Sequence, residues 1–131
     1  VTHGSGTISA GSGTIRASAS FPRLSGEPAG VTTPEEMLAA SHAICYGLGL
    51  RSLISKRGGS VRRLIVTATI TAEKSSSGIR IQSSHLSGVL EGLEGLEPAS
   101  LEEIAEETER GCTISNALRG NVAITHALSL L

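Results

Sequence analysis

Two cysteines and the residues around them are the parts of this 131-residue chain that could do chemistry. Cys45 sits near the middle of an uncharged stretch, with His42 one turn earlier on the same helix face. Cys112 follows Gly111, which stops one helix, and stands at the start of the next. Helix N-termini lower a thiol's pKa and favour the reactive thiolate, so this position favours reactivity at Cys112. The plain alternative for Cys45 is burial as a small hydrophobe, the usual fate of a free cysteine.

A thiolate in mid-helix gains nothing from the dipole of its own helix and needs a cation. Arg23 is the obvious source, held in turn by a bidentate carboxylate such as Glu35; otherwise it is an ordinary loop arginine. Two glutamates open the helix, and angles separate them. At about 100° per residue, Glu35 projects roughly 80° away from Cys45 and Glu36 points to the opposite side. Glu36 also completes a Thr-x-x-Glu capping box with Thr33, which leaves Glu35 as the candidate beside a thiol. Yet ten residues at ~1.5 Å rise place Glu35 ~15 Å along the axis from Cys45. Within one straight helix the two side chains cannot touch, which favours Glu35 acting on the cysteine of a two-fold partner, whose helix runs antiparallel. Gly47-x-Gly49 has two readings: close packing against such a partner, or a helix that loosens there.

Cys45, Cys112, His42 and His126 could be drawn as a zinc set, but metal pairs usually come as Cys-x-x-Cys or His-x-x-x-His on turns. His-x-x-Cys on a buried helix is weak support, so no metal and no cofactor is expected. His42 reads as a hydrogen-bonded core histidine, and His3, His85 and His126 have no motif around them. An acyl-transfer pair of Cys45 and His42 lacks a nucleophile elbow and a matching acid.

The elements that must position these groups follow from periodicity. Gly-Ser-Gly-Thr-Ile occurs at Gly4 and again at Gly11, and predicts a β-hairpin with strands near Thr7–Ala10 and Thr14–Ser20. A loop over 21–32 leads to a long helix from Pro34 to about Lys56, capped by Thr33 and ended by Gly58-Gly59. Apolar or small nearly all round, that helix belongs in a core. Strand alternation runs over Val61–Glu73, with Leu64, Val66, Ala68 and Ile70 on one face. The next strand, Ile79 to about Glu91, changes apolar parity between Ile81 and Leu86, which predicts a bulge. Ser100, with Glu103 three residues on, predicts a capped helix that turns Leu101, Ile104, Ala105 and Thr108 inward. A short helix from Cys112 or Thr113 and a last strand through Val122, Ile124, Leu128 and Leu130 complete an α+β order, ββ-α-ββ-αα-β.

Composition bounds the rest. Residues 1–131 read as one domain by size. With Phe21 and Tyr46 the only aromatics, the core must be aliphatic, and such chains often complete their core with a second copy. A net charge of -1 gives no footprint for nucleic acid. No apolar run reaches membrane-spanning length and no signal peptide opens the sequence given. A reducing cytoplasm is the expected setting, where a cysteine pair is more often catalytic, redox-active or metal-binding than a staple.

The stretch from Thr33 to Tyr46, TPEEMLAASHAICY, resembles the NPEELIAAAHAACF segment of the OsmC/Ohr proteins, the osmotically inducible protein C and organic hydroperoxide resistance group. Glu109 to Leu118, ERGCTISNAL, is similar to their second cysteine motif, AExxCPxSxAL, and the separation of the cysteines is that of the family. Arg23 falls where these proteins carry a loop arginine, and His42 favours the OsmC branch. The resemblance implies an OsmC-like fold, with antiparallel sheets wrapped around a long central helix in an intertwined homodimer. It implies a thiol-dependent peroxidase that reduces organic hydroperoxides. Cys45 maps onto the peroxidatic thiolate, Cys112 onto the resolving thiol, and Arg23 and Glu35 onto the activating pair. An external dithiol would be the reductant. Thr113 in place of proline and Ile44 in place of a small residue depart from the pattern; the second is expected to reshape the pocket. Apolar surface around Met37, Ile44 and Leu48 is expected to select organic peroxides. The competing reading is a non-catalytic small-molecule-binding or interaction dimer with the same fold.

Overall fold

The computed structural model describes residues 5–20 and 30–131. Arg23 and most of the loop expected over 21–32 lie outside the described residues.

A hairpin comes first, β1 (Ser5–Ser9) antiparallel to β2 (Arg16–Ser20). Helix α1 (Pro34–Lys56) starts and stops at the predicted residues. Thr33 is extended and its Oγ1 accepts the Glu36 N–H at 3.2 Å, a cap worth about 1 kcal/mol. Gly58, at φ +84°, turns the chain out of the helix. Two long strands follow, β3 (Ser60–Ser75) and β4 (Gly78–Glu94), paired antiparallel. Their register shifts where Thr71 faces Ser83 but Ala72 faces Ile81, so Gln82 is the extra residue, within the interval where the parity change placed a bulge.

After Glu94 a 3-10 turn (Pro98–Ser100) runs into α2 (Leu101–Gly111), then α3 (Thr113–Leu118) and β5 (Ala123–Leu130). Ser100 does not cap α2. Its backbone is already helical, and its Oγ donates back to the Glu97 carbonyl, because the 3-10 turn starts the helical path three residues earlier. The predicted inward face of α2 is buried as expected, through Leu101, Ile104, Ala105 and Thr108.

The sheet order is β3-β4-β5, and here the expectation of purely antiparallel sheets is corrected: β5 lies parallel to β4. The reason is the connection. A parallel neighbour needs a crossover, and α2 and α3 supply it.

The core forms where one stripe of α1 (Tyr46, Leu50, Ile54) meets Val61 of β3, Leu86 and Leu90 of β4, and Leu101 and Ile104 of α2. Helix α1 is not buried all round. Ile44 is 59% and Leu48 67% exposed, because the sheet and α2 of one chain cover only part of it. Contrary to expectation, α1 is long and apolar enough to cross a membrane by length and composition. Its stripe nonetheless packs on β3, the setting of a core helix. The two glycines have reasons within the chain. A Cβ on Gly47 would lie 3.3 Å from Val66 Cγ2, and one on Gly49 3.3 Å from Thr108 Cγ2. Helix α1 runs unbroken through both glycines.

Candidate active site

Cys45, on α1, meets the start of α3 at Cys112, Thr113 and Ile114, and Cys112 stands at the junction of α2 and α3. Both thiols are free, and both line one hollow of about 330 Å³ with Gly49, Ser52, Leu53, Lys56, Glu107, Thr108 and Gly111. Cys112 is the N-cap of α3; its Sγ accepts the Ser115 N–H at 3.5 Å.

The electrostatics reverse the expectation drawn from helix position alone. Burial would push the Cys45 thiol up, but the Ile114 N–H, the Cys112 thiol and the Thr113 N–H outweigh it and hold Cys45 below the ordinary cysteine value. Cys112 is raised, burial being the chief cause, and its thiol favours the proton that Cys45 gives up. The first N–H groups of α3, from Thr113 and Ile114, thus favour the mid-helix Cys45 thiolate, while the Ser115 N–H goes to the cap cysteine, whose burial outweighs it. Periodicity within α1 could not find this, since the donors lie on another helix.

His42 is fully buried and hydrogen-bonded, as expected. Its Nδ1 meets Ser84 Oγ at 2.7 Å and its Nε2 meets Ser115 Oγ at 2.8 Å. A neutral imidazole donates from one nitrogen and accepts at the other, and the two hydroxyls rotate to match. Burial holds its pKa below the usual histidine value, against the opposing pull of Glu109. With both nitrogens so engaged, His42 has no lone pair left for a metal. His126 stacks on Tyr46 with centroids 6.4 Å apart.

Glu35 is not brought to Cys45. Its Oε2 is buried and, among the described residues, meets no hydrogen-bond partner. Met37 does not line the cysteine hollow either. Ile44 and Leu48 line a different one, with Ala43, Gly47, Arg51, Leu64 and Val66, so Ile44 does not shape the surroundings of Cys45 within one chain. Sequence reasoning missed Lys56, the cation in the cysteine hollow. Eleven residues at 100° return Lys56 to within about 20° of Cys45, on the same face but ~16 Å along the axis, so it lines the far end of the hollow.

A family model described as OsmC-like protein matches residues 26–127. The chain is 25% identical over 130 residues to peroxiredoxin OsmC of Escherichia coli (strain K12), covering 98% of this chain and 89% of that protein. The fold is similar to an organic hydroperoxide resistance protein OsmC from Legionella pneumophila, with TM-score 0.76, 22% identity and coverage of 98% and 97%. It is similar too to an organic hydroperoxide resistance protein from Elizabethkingia anophelis, with TM-score 0.77, 20% identity and coverage of 100% and 97%.

Proposed function

Since the chain belongs to the OsmC-like protein family, we propose that it is a thiol peroxidase in which Cys45 reduces a hydroperoxide and Cys112 resolves the product. The observation that carries the reading is the free thiol pair sharing one hollow, with Cys45 the more acidic of the two.

The Cys45 thiolate attacks the terminal oxygen of the hydroperoxide. An S–O bond forms, the O–O bond breaks, and sulfenic acid remains on Cys45 while the alkoxide leaves and takes a proton from water. The Cys112 sulfur then attacks the Cys45 sulfenic sulfur; a disulfide forms and water leaves. An external dithiol restores both thiols by exchange and is itself oxidised to a disulfide. The α3 N–H groups stabilise the Cys45 thiolate at the start of the cycle.

Arg23 is assigned to the charge on the thiolate and the departing oxygen, and Glu35 to holding Arg23. The partnerless Glu35 Oε2 among the described residues supports that role. The relatives named for organic hydroperoxide resistance support an organic substrate.

The working unit in this reading is a homodimer. The hairpin β1–β2 makes no extensive contact with the other described elements, and an isolated two-stranded hairpin is marginal in water. Together with the uncovered Ile44 and Leu48, it supports a second copy completing the structure.

The test is to treat the protein with cumene hydroperoxide and count free thiols. Paired loss of both thiols is expected in the wild type, a stable Cys45 sulfenic acid in Cys112→Ser, and no reaction in Cys45→Ser. Two inert thiols would remove the peroxidase assignment and favour a binding dimer.

A further inference from the structure

Helix α3 is attached to the chain in an unusual way. Of its six residues the only fully buried one is Ser115, a polar residue, so α3 has no fully buried apolar anchor. What holds Ser115 is His42: the Nε2–Oγ hydrogen bond is 2.8 Å long with both residues at 0% exposure. The other ring nitrogen is tied to the buried Ser84, at 2.7 Å, on the central strand β4. The imidazole therefore bridges the sheet core to α3.

The register of this bridge matters. His42 lies three residues before Cys45 on α1, and Ser115 lies three residues after Cys112 on α3. The two helices thus carry two rungs one turn apart, His42 to Ser115 and Cys45 to Cys112. Ser115 joins them directly, since its hydroxyl meets His42 while its N–H donates to Cys112 Sγ at 3.5 Å. We propose that His42 is a positioning residue: through Ser115 it fixes the place of α3, and so sets the approach of Cys112, and of the N–H groups of Thr113 and Ile114, to Cys45. The inference deepens the peroxidase reading and rests on it for its purpose, but its geometry exists without any peroxide.

Two measurements that need no peroxide test it. The first is the pH profile of Cys45 alkylation by iodoacetamide, resolved from Cys112 by mass spectrometry. The second is the rate at which diamide closes the disulfide, taking two electrons and both thiol protons as the S–S bond forms. Ser115→Ala and Ser84→Ala each leave one nitrogen of His42 without a partner, so both carry the structural cost, read by thermal melting. Only Ser115→Ala unhitches α3. In that variant the alkylation profile should move to higher pH and closure should slow by roughly tenfold, about the factor one buried hydrogen bond carries. Ser84→Ala should keep both readouts near wild type. Should Ser115→Ala fail to fold, His42→Asn removes the same rung, because the shorter amide reaches Ser84 but not Ser115, and it should shift both readouts in the same way. Lys56 and Glu107, the charged groups lining the thiol hollow, and Glu109, which acts on His42, are unchanged in all variants.

A folded Ser115→Ala, or a folded His42→Asn where that stands in for it, with wild-type profile and closure rate would overturn the proposal. So would equal shifts in the Ser115 and Ser84 variants. A protein that shows the expected shifts yet leaves cumene hydroperoxide untouched would remove the peroxidase reading and leave this one standing.

Discussion

Glu35 and Cys45 stand on one continuous helix, ten residues apart, a separation of ~15 Å along its axis. No side-chain rotamer closes that gap, so a direct contact between the two requires two chains. Mixed dimers test this. A Glu35→Gln chain paired with a Cys45→Ser chain should recover about half the wild-type rate per dimer, since one of two shared sites is then complete. Each variant alone should be impaired. If Glu35 acts within its own chain, the mixture stays as inactive as its parts.

The thiols should differ in reactivity in a defined order. Cys45 is held below the usual cysteine value and Cys112 above it. Iodoacetamide at neutral pH should therefore label Cys45 first, and Cys112 should react only as the solution becomes alkaline. Mass spectrometry of a time course gives the order directly, and the reverse order would contradict the site as described.

Much of the fold was legible because its signals are local. The Thr33 cap, the alternation in β3, the parity change near Gln82 and the inward face of α2 each follow from a few neighbouring residues. The direction of β5 was not legible, since alternation fixes which face a residue takes and leaves open which way the strand runs. The site was half legible. Residue types singled out Cys45, Cys112 and His42, but which thiol is the more acidic depends on donors from α3 crossing α1, a tertiary fact. Ser84 gave no signal, and Ser115 stood out only as a matched letter of the second cysteine motif; its tie to His42 is a tertiary fact.

Gly49 and Thr108 should prove coupled. A Cβ at Gly49 would lie 3.3 Å from Thr108 Cγ2, and Thr108 cannot turn freely because its Oγ1 donates to the Ile104 carbonyl at 2.7 Å. Gly49→Ala gains ~1 kcal/mol of helix propensity and loses a similar amount to crowding. Gly49→Val should cost about 1–3 kcal/mol in urea unfolding. Removing the opposing methyl with Thr108→Ser should convert Gly49→Ala into a stabilising change, and simple additivity of the two would rule out the contact as the cause.

His42 should make stability fall on the acid side. Its folded-state pKa is lowered, so the unfolded chain binds the proton more readily and unfolding is favoured as pH drops. Its contribution is complete above about pH 6.5, the unperturbed histidine value, and is lost progressively below it. The slope cannot exceed about 1.4 kcal/mol per pH unit, the value for a single proton. Denaturant midpoints for wild type and His42→Asn between pH 5 and 8 should differ in slope over that window, and matched slopes would mean that another group carries the acid sensitivity.

The exposed face of α1 carries the last prediction. Ile44 and Leu48 are one turn apart, more than half exposed, and share a hollow of about 340 Å³ with Gly47, Leu64 and Val66. Exposed helix positions normally carry charge, and Arg51, one turn further on, does so at the edge of the patch. If this face is where a second copy sits, Ile44→Glu with Leu48→Lys should give a monomer by analytical ultracentrifugation. Neither side chain is buried in one chain, so the substitutions should leave the secondary structure of that chain intact by circular dichroism. Such a monomer retains the thiol pair on α1 and α3, so diamide should still close the disulfide. Turnover of cumene hydroperoxide should nevertheless fall steeply, because Glu35 would then have no opposing Cys45 to serve. A monomer with full turnover would separate the thiol chemistry from the dimer, and an unaltered dimer would move the interface to another surface of the chain.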